Sequence, residues 1–173
     1  ISNFDSSIAG LTAKDCMLRI YRDVRFSKDK TPYHTYFGAH IISGGRKSEH
    51  ARAGYYIRIE PGQSFLAGGA YLPPSDWIHA IRQEIDYHAE DFLAILQSTE
   101  FKSFFGTLRG EQLKTTPKGY PKDHPHIDLL RHKSFLAVHD LEEDNLLHPD
   151  FSTYAGKVFR ALQPFSAFLN RGR

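Results

Sequence analysis

The residues best equipped for chemistry lie together near the start of the chain, in the run Arg19-Ile20-Tyr21-Arg22-Asp23-Val24-Arg25-Phe26-Ser27-Lys28-Asp29-Lys30-Thr31-Pro32-Tyr33. Five basic residues face two acids there, which leaves a formal charge of +3. Guanidinium forks grip phosphate or carboxylate through paired hydrogen bonds, whereas a lysine ammonium acts as a mobile point charge. Alternation along a strand puts Arg19, Tyr21, Asp23 and Arg25 on one side and Leu18, Ile20, Arg22, Val24 and Phe26 on the other. That places Arg22 in an apolar row, where a guanidinium needs a carboxylate or an anionic ligand opposite it. Two further segments add cations: Arg58 shares a side with Tyr56 and Glu60, and Lys118 follows the Thr116-Pro117 turn next to Gly119. Gly119 lets backbone approach a ligand closely.

Arg22, Asp23, Arg25, Lys30, Tyr33, Arg58 and Lys118 are therefore the candidate site for a small phosphate- or carboxylate-bearing ligand. In a catalytic version Asp23 or Glu60 serves as the base, and the arginines hold charge that develops on the substrate. The opposing reading is an internal network in which Arg22, Arg25 and Arg58 meet Asp23, Asp29 and Glu60. The charged run is then structural glue in a non-catalytic module that binds protein or nucleic acid.

Other chemistries are less well supported. His124-Pro125-His126 with Asp128 has the residue types of a metal site, but no His-Glu-x-x-His or cysteine-rich spacing accompanies it. Gly44-Gly45 and Gly68-Gly69 lack the spacing of a nucleotide loop, and no Gly-x-Ser-x-Gly elbow exists. Nothing calls for a cofactor or a metal. Cys16, the single cysteine, cannot form an internal disulfide and reads as an inert core thiol.

The length of 173 residues fits one domain spanning 1–173, and 40% hydrophobic residues with 13 Phe and 9 Tyr supply a core. A net charge of +2 argues against nucleic acid as a bulk electrostatic partner. The absence of a long apolar run argues against a membrane, and the lone cysteine suits the cytoplasm.

Turn residues and apolar periodicity predict strands over 16–26, 33–43, 53–60 and 64–72, joined by short loops as antiparallel hairpins. Residues 44–49 read as a flexible basic turn. Pro73-Pro74-Ser75 then introduces a helix over 75–97, marked by Trp77, Ile81, Ile85, Phe92 and Leu96. A short helix at 101–105, a loop at 115–125, a short helix near 127–130 and a strand at 133–140 follow. A closing helix over 151–169 is expected to kink or break near Pro164. Strands first and helices afterwards make an α+β fold, with an antiparallel sheet from the N-terminal half backed by helices from the C-terminal half.

The run at 19–33 resembles the signature of a protein family catalogued as domain of unknown function 2461, which occurs in bacteria and some fungi. The likeness continues through Gly54-Tyr55-Tyr56, Glu60-Pro61, Gly68-Gly69, Ile81-Arg82, Pro117-Lys118-Gly119-Tyr120-Pro121 and Phe168-Leu169-Asn170. Similar proteins carry an additional N-terminal segment, so the resemblance implies a chain that begins inside the family's usual length. It implies no particular reaction.

Overall fold

Glycine decides how closely the layers of this protein approach. The computed structural model describes residues 1–48 and 52–172. Its four-stranded antiparallel sheet has the order β1 (Phe37–Ile41), β2 (Gly54–Ile59), β3 (Phe65–Ala70) and β4 (Phe135–Asp140). Tyr55, Leu66, Ala70, Phe135 and Ala137 project from one face of the sheet and are fully buried. The long helix α7 (Phe151–Leu169) lies across that face, chiefly on β3. A side chain at Gly68 would run into Leu162 of this helix and the Gly54 carbonyl, so the bare backbone is what admits α7. Gly69 adds a φ of +118° and has no room for a Cβ beside the Phe135 carbonyl. Asn170, just past α7, completes the contact. Its side chain accepts from the Ala53 amide at 2.9 Å and donates to the Ala53 carbonyl at 3.0 Å.

Helices α2 (Ser75–Tyr87), α3 (Ala89–Gln97) and α4 (Thr99–Phe105) fill the rest of this layer. Trp77, Ile81 and Ile85 recur every four residues and are buried, as a helix facing a core requires. Phe92 sits at the hub, its ring centroid 4.7 Å from that of Phe168, 5.9 Å from Phe165 and 6.4 Å from Phe135. Trp77 donates its indole N–H to the Leu169 carbonyl at 3.1 Å, tying α2 to the end of α7. The short helices are α1 (Ala13–Cys16), α5 (Ile127–Leu130) and α6 (Glu143–Leu147). Cys16 is buried, and burial pushes its thiol pKa up, which makes it a poor nucleophile.

The α+β architecture agrees with the sequence-based expectation, and 37–41, 54–59, 65–70 and 135–140 fall inside expected strands. Three elements differ. The segment 16–26 is not a regular strand: Cys16 ends α1, and beyond it only the isolated antiparallel bridges Met17↔Ala39 and Tyr21↔Tyr33 form. Backbone bonds pair 17–22 with 32–39 at intervals, without a continuous ladder. The helix expected over 75–97 is two helices, because His88 leaves helical geometry at φ −128°, ψ 41°. The bend lets α3 turn from α5, which α2 touches, toward α4. The apolar spacing passes through it unchanged, so the pattern does not reveal it. Conversely, α7 runs unbroken past Pro164, whose exposed position lets the helix do without one amide hydrogen bond. Residues 45–48 of the expected basic turn form a 3₁₀ turn, while Glu49 lies outside the described residues.

The close approach of sheet and helix is testable. Gly69→Ala is expected to cost about 3 kcal/mol or more in denaturant unfolding, through the clash and the left-handed backbone together. Gly62, at φ +71° with open space around it, is the control. Gly62→Ala meets the backbone penalty alone, about 1–2 kcal/mol. Equal losses would show that the approach of the two layers is not limiting.

Candidate functional site

The helices cover one face of the sheet, so the charged run is carried outside the core. Residues 17–22 run antiparallel to 32–39: the Leu18 amide donates to Gly38 at 2.8 Å, the His34 amide to Ile20 at 2.8 Å and the Arg22 amide to Pro32 at 2.9 Å. The resulting arm flanks β1 and screens that edge of the sheet. Its rings are open to water, with Tyr21 at 64% exposure, Tyr33 at 50% and Phe26 at 97%. Tyr21 and Tyr33 lie 5.2 Å apart in a tilted pair.

Arg22 is not sunk among apolar neighbours as its parity suggests. Its side chain is about a quarter exposed, and Ile20 and Phe26 in the same row face solvent. It forms an ion pair with Asp29 and donates to the Thr31 carbonyl at 3.3 Å. Asp29 in turn accepts from the Thr31 amide at 2.9 Å and the Thr31 hydroxyl at 2.6 Å, which closes the turn. Those bonds, then Arg22, hold the Asp29 carboxyl well below the usual range. Arg25 grips Asp23 with two nitrogens, Nε at 2.9 Å and Nη2 at 2.5 Å, and lowers the Asp23 pKa. Lys30 turns inward to the Val24 carbonyl at 2.9 Å. Arg19 and Lys28 make no hydrogen bond or ion pair among the described residues.

Arg19, Tyr21, Arg22, Asp23 and Arg25 line one open depression. Four of them share the parity seen in the sequence, and that row lines the open depression. Arg19 and Tyr21 join Arg22, Asp23 and Arg25 in this lining, and their shared parity with Asp23 and Arg25 is the sequence signal that points to them.

Arg58 stands on β2, on the face opposite the helices. Its guanidinium lies over Tyr36, with Cζ 3.9 Å from the ring centroid, and its Nε donates to Glu60 Oε2 at 2.7 Å. Glu60 is buried, accepts also from the Thr35 hydroxyl, and has its backbone amide bound by Ser64 Oγ at 2.9 Å. The Thr35 bond, with Arg58 behind it, lowers the Glu60 pKa. Asp23 and Glu60 are therefore both engaged by arginine, which makes each a weaker base. Lys118 stands apart in the exposed turn closed by the Tyr120 amide to Pro117 at 3.2 Å. It does not line the depression.

Two histidines are tied to structural partners, while the buried His132 Nδ1 has none among the described residues. His124 Nε2 meets Asp86 at 2.9 Å, and its Nδ1 accepts from the His126 amide at 3.1 Å. His139 spends its two nitrogens on the Phe104 carbonyl at 2.8 Å and the Tyr154 hydroxyl at 2.6 Å. Among the described residues no group of three or more His, Cys, Asp or Glu side chains is placed to hold a metal ion. A separate polar cavity of about 180 Å³ lies between Asp5, Arg52 and Asn170. Its best polar groups are spent, Asp5 on Tyr55 and Ser7 and Asn170 on Ala53.

Residues 1–168 match the family model described as Conserved hypothetical protein (DUF2461). The chain belongs to this family. No curated protein and no solved structure gives a significant match. The motifs that carried the resemblance divide in two on this fold. Gly68-Gly69 and Phe168-Leu169-Asn170 serve the contact between sheet and α7, and Arg82 of Ile81-Arg82 holds the end of α5 through the Leu130 and His132 carbonyls, at 2.8 and 3.1 Å. The run at 19–33 and Glu60-Pro61 build the charged arm and its support.

Asp23, Asp29 and Glu60 all titrate below their ordinary values, so their pairs contribute fully above the unfolded carboxylate range, about pH 4, and lose that contribution as pH falls through the folded values. Amide resonances of residues 23–31 are expected to move in acid before those of α7. Arm and core resonances that move together would show that the arm is not independently held.

Proposed function

We propose that the arm binds an anionic, phosphate- or carboxylate-bearing ligand. The observation that carries this reading is the open depression in which Arg22 and Arg25 are oriented by Asp29 and Asp23, with Arg19 beside them free of any described partner. A guanidinium already fixed by a carboxylate loses less freedom when its remaining donors meet an anion. Arg25 keeps Nη1 and Arg22 keeps Nε and Nη2 for that purpose, while Arg19 offers its whole fork. The local charge of +3 draws anions although the whole chain is near neutral. Of the residues expected from the sequence, Arg22, Asp23 and Arg25 serve this site directly. Lys30 and Tyr33 shape it through the turn and the Tyr21 contact. Arg58 and Lys118 fall outside the depression.

The reading as a non-catalytic interaction module draws on a different observation: Arg22, Arg25 and Arg58 each have an internal carboxylate partner. Thermal unfolding in the presence of inorganic phosphate, pyrophosphate and di- and tricarboxylates separates the two. An anion present at about a hundred times its dissociation constant adds roughly 2.7 kcal/mol of stability. Arg19→Gln together with Arg25→Gln should abolish that gain and leave the unliganded melting temperature nearly unchanged, as exposed charges do. No response to any anion, or a response that survives both substitutions, favours the reading in which the charged run is structural glue.

A further inference from the structure

The arm carries more than charge. Most of the large apolar side chains exposed on this protein lie on it or beside it: Met17, Ile20, Tyr21, Phe26, Tyr33 and Phe37. A patch of that kind on a soluble surface marks a place where something docks. Cations and rings are interspersed along the chain, as Arg19, Tyr21, Arg22, Arg25, Phe26 and Lys28. The Arg25 guanidinium reaches the Phe26 ring at 6.0 Å, and the Tyr21–Tyr33 pair stands next to the depression. A small phosphorylated metabolite needs an enclosing pocket of a few hundred Å³ to bury its surface. This depression is open, and the rings on and beside it face solvent.

We infer that the anionic ligand of the arm is a single strand of nucleic acid, whose phosphates meet Arg19, Arg25 and Lys28 and whose bases stack on Tyr21, Tyr33 and Phe26. The inference rests on the anion reading and names the ligand class for the same site. Aromatic faces accept any base, so such a surface binds strands with little sequence preference, and a positively charged track follows the backbone. The near-neutral charge of the whole chain argues against wrapping a duplex. It does not oppose a strand of a few nucleotides lying along a local +3 segment. An acidic peptide satisfies the cations equally well but gives exposed Tyr and Phe rings no stacking partner.

The test uses fluorescein-labelled oligouridylate and oligothymidylate of about 12 nucleotides, within the site sizes common for single-strand binders. Fluorescence anisotropy is expected to saturate with both strands. The affinity should fall with salt at a logarithmic slope of about −2, as three phosphate contacts on a single strand require. Phe26→Ala is expected to weaken strand binding at least about fivefold, the low end of a lost stacking contact. Phe26 is 97% exposed, so this variant keeps its fold. Stabilisation by inorganic phosphate, read by thermal unfolding, should be the same in Phe26→Ala and wild type.

Three results overturn the inference. If phosphate stabilises the protein but neither oligonucleotide binds, the site takes small anions and the strand assignment fails alone. If oligoglutamate binds as tightly as the oligonucleotides and Phe26→Ala changes nothing, the arm recognises acidic peptide by charge. If neither phosphate nor strand has any effect, both readings fall.

Discussion

The contact of α7 with bare glycine backbone at Gly68 and Gly69 is the constraint on which the rest of this protein depends. A helix that close to β3 commits one face of the sheet to the core, and Phe92, Phe135, Phe165 and Phe168 then pack as a single aromatic hub. Asn170 imitates a neighbouring strand by bonding both the amide and the carbonyl of Ala53, which fixes where β2 begins. With the helices assigned to one side, the other side and the flanking arm are left to water. The charged residues belong there on desolvation grounds, since five cations could not be sunk in this core.

In that setting the ion pairs orient more than they stabilise. Arg22–Asp29 and Arg25–Asp23 are exposed pairs, and such pairs contribute little to folding. Their effect is geometric, because each guanidinium is held with part of its fork still open. Arg58 differs. It is stacked on Tyr36 and bound to buried Glu60, so it braces the corner where β2 turns toward β3. The same residue types therefore serve two ends on one surface, as bracing at Glu60 and as an accessible cationic wall at Arg19, Arg22 and Arg25.

Much of this was legible in the residues. The alternation at 54–59, the Pro61-Gly62 turn ahead of 65–70 and the fourfold spacing of Trp77, Ile81 and Ile85 translate directly into strands and a buried helix face. The parity of Arg19, Tyr21, Asp23 and Arg25 likewise survives as one wall of the depression. What the pattern could not convey is which face receives a cover. Leu18, Ile20, Val24 and Phe26 look like a core row, but burial depends on a helix elsewhere in the chain choosing that side, and α7 chose the other. The bend at His88 was hidden for a related reason, since apolar spacing continues through it. Pro164 was misleading because an exposed proline in a helix held by Val158, Phe159, Leu162 and Phe165 is carried by the packing around it. Lys118 matches the arm in composition but does not line the depression.

The central claim is that the arginines of the arm are set to receive an anion. It is tested most directly by titrating inorganic phosphate into isotopically labelled protein and following the Nε–H resonances of the arginines. Those of Arg19 and Arg22 are expected to shift along a saturable curve, with Arg58 unmoved because its Nε is already committed to Glu60. Shifts at Arg58 alone, or shifts at Arg19 and Arg22 that grow linearly without saturation, would contradict the account.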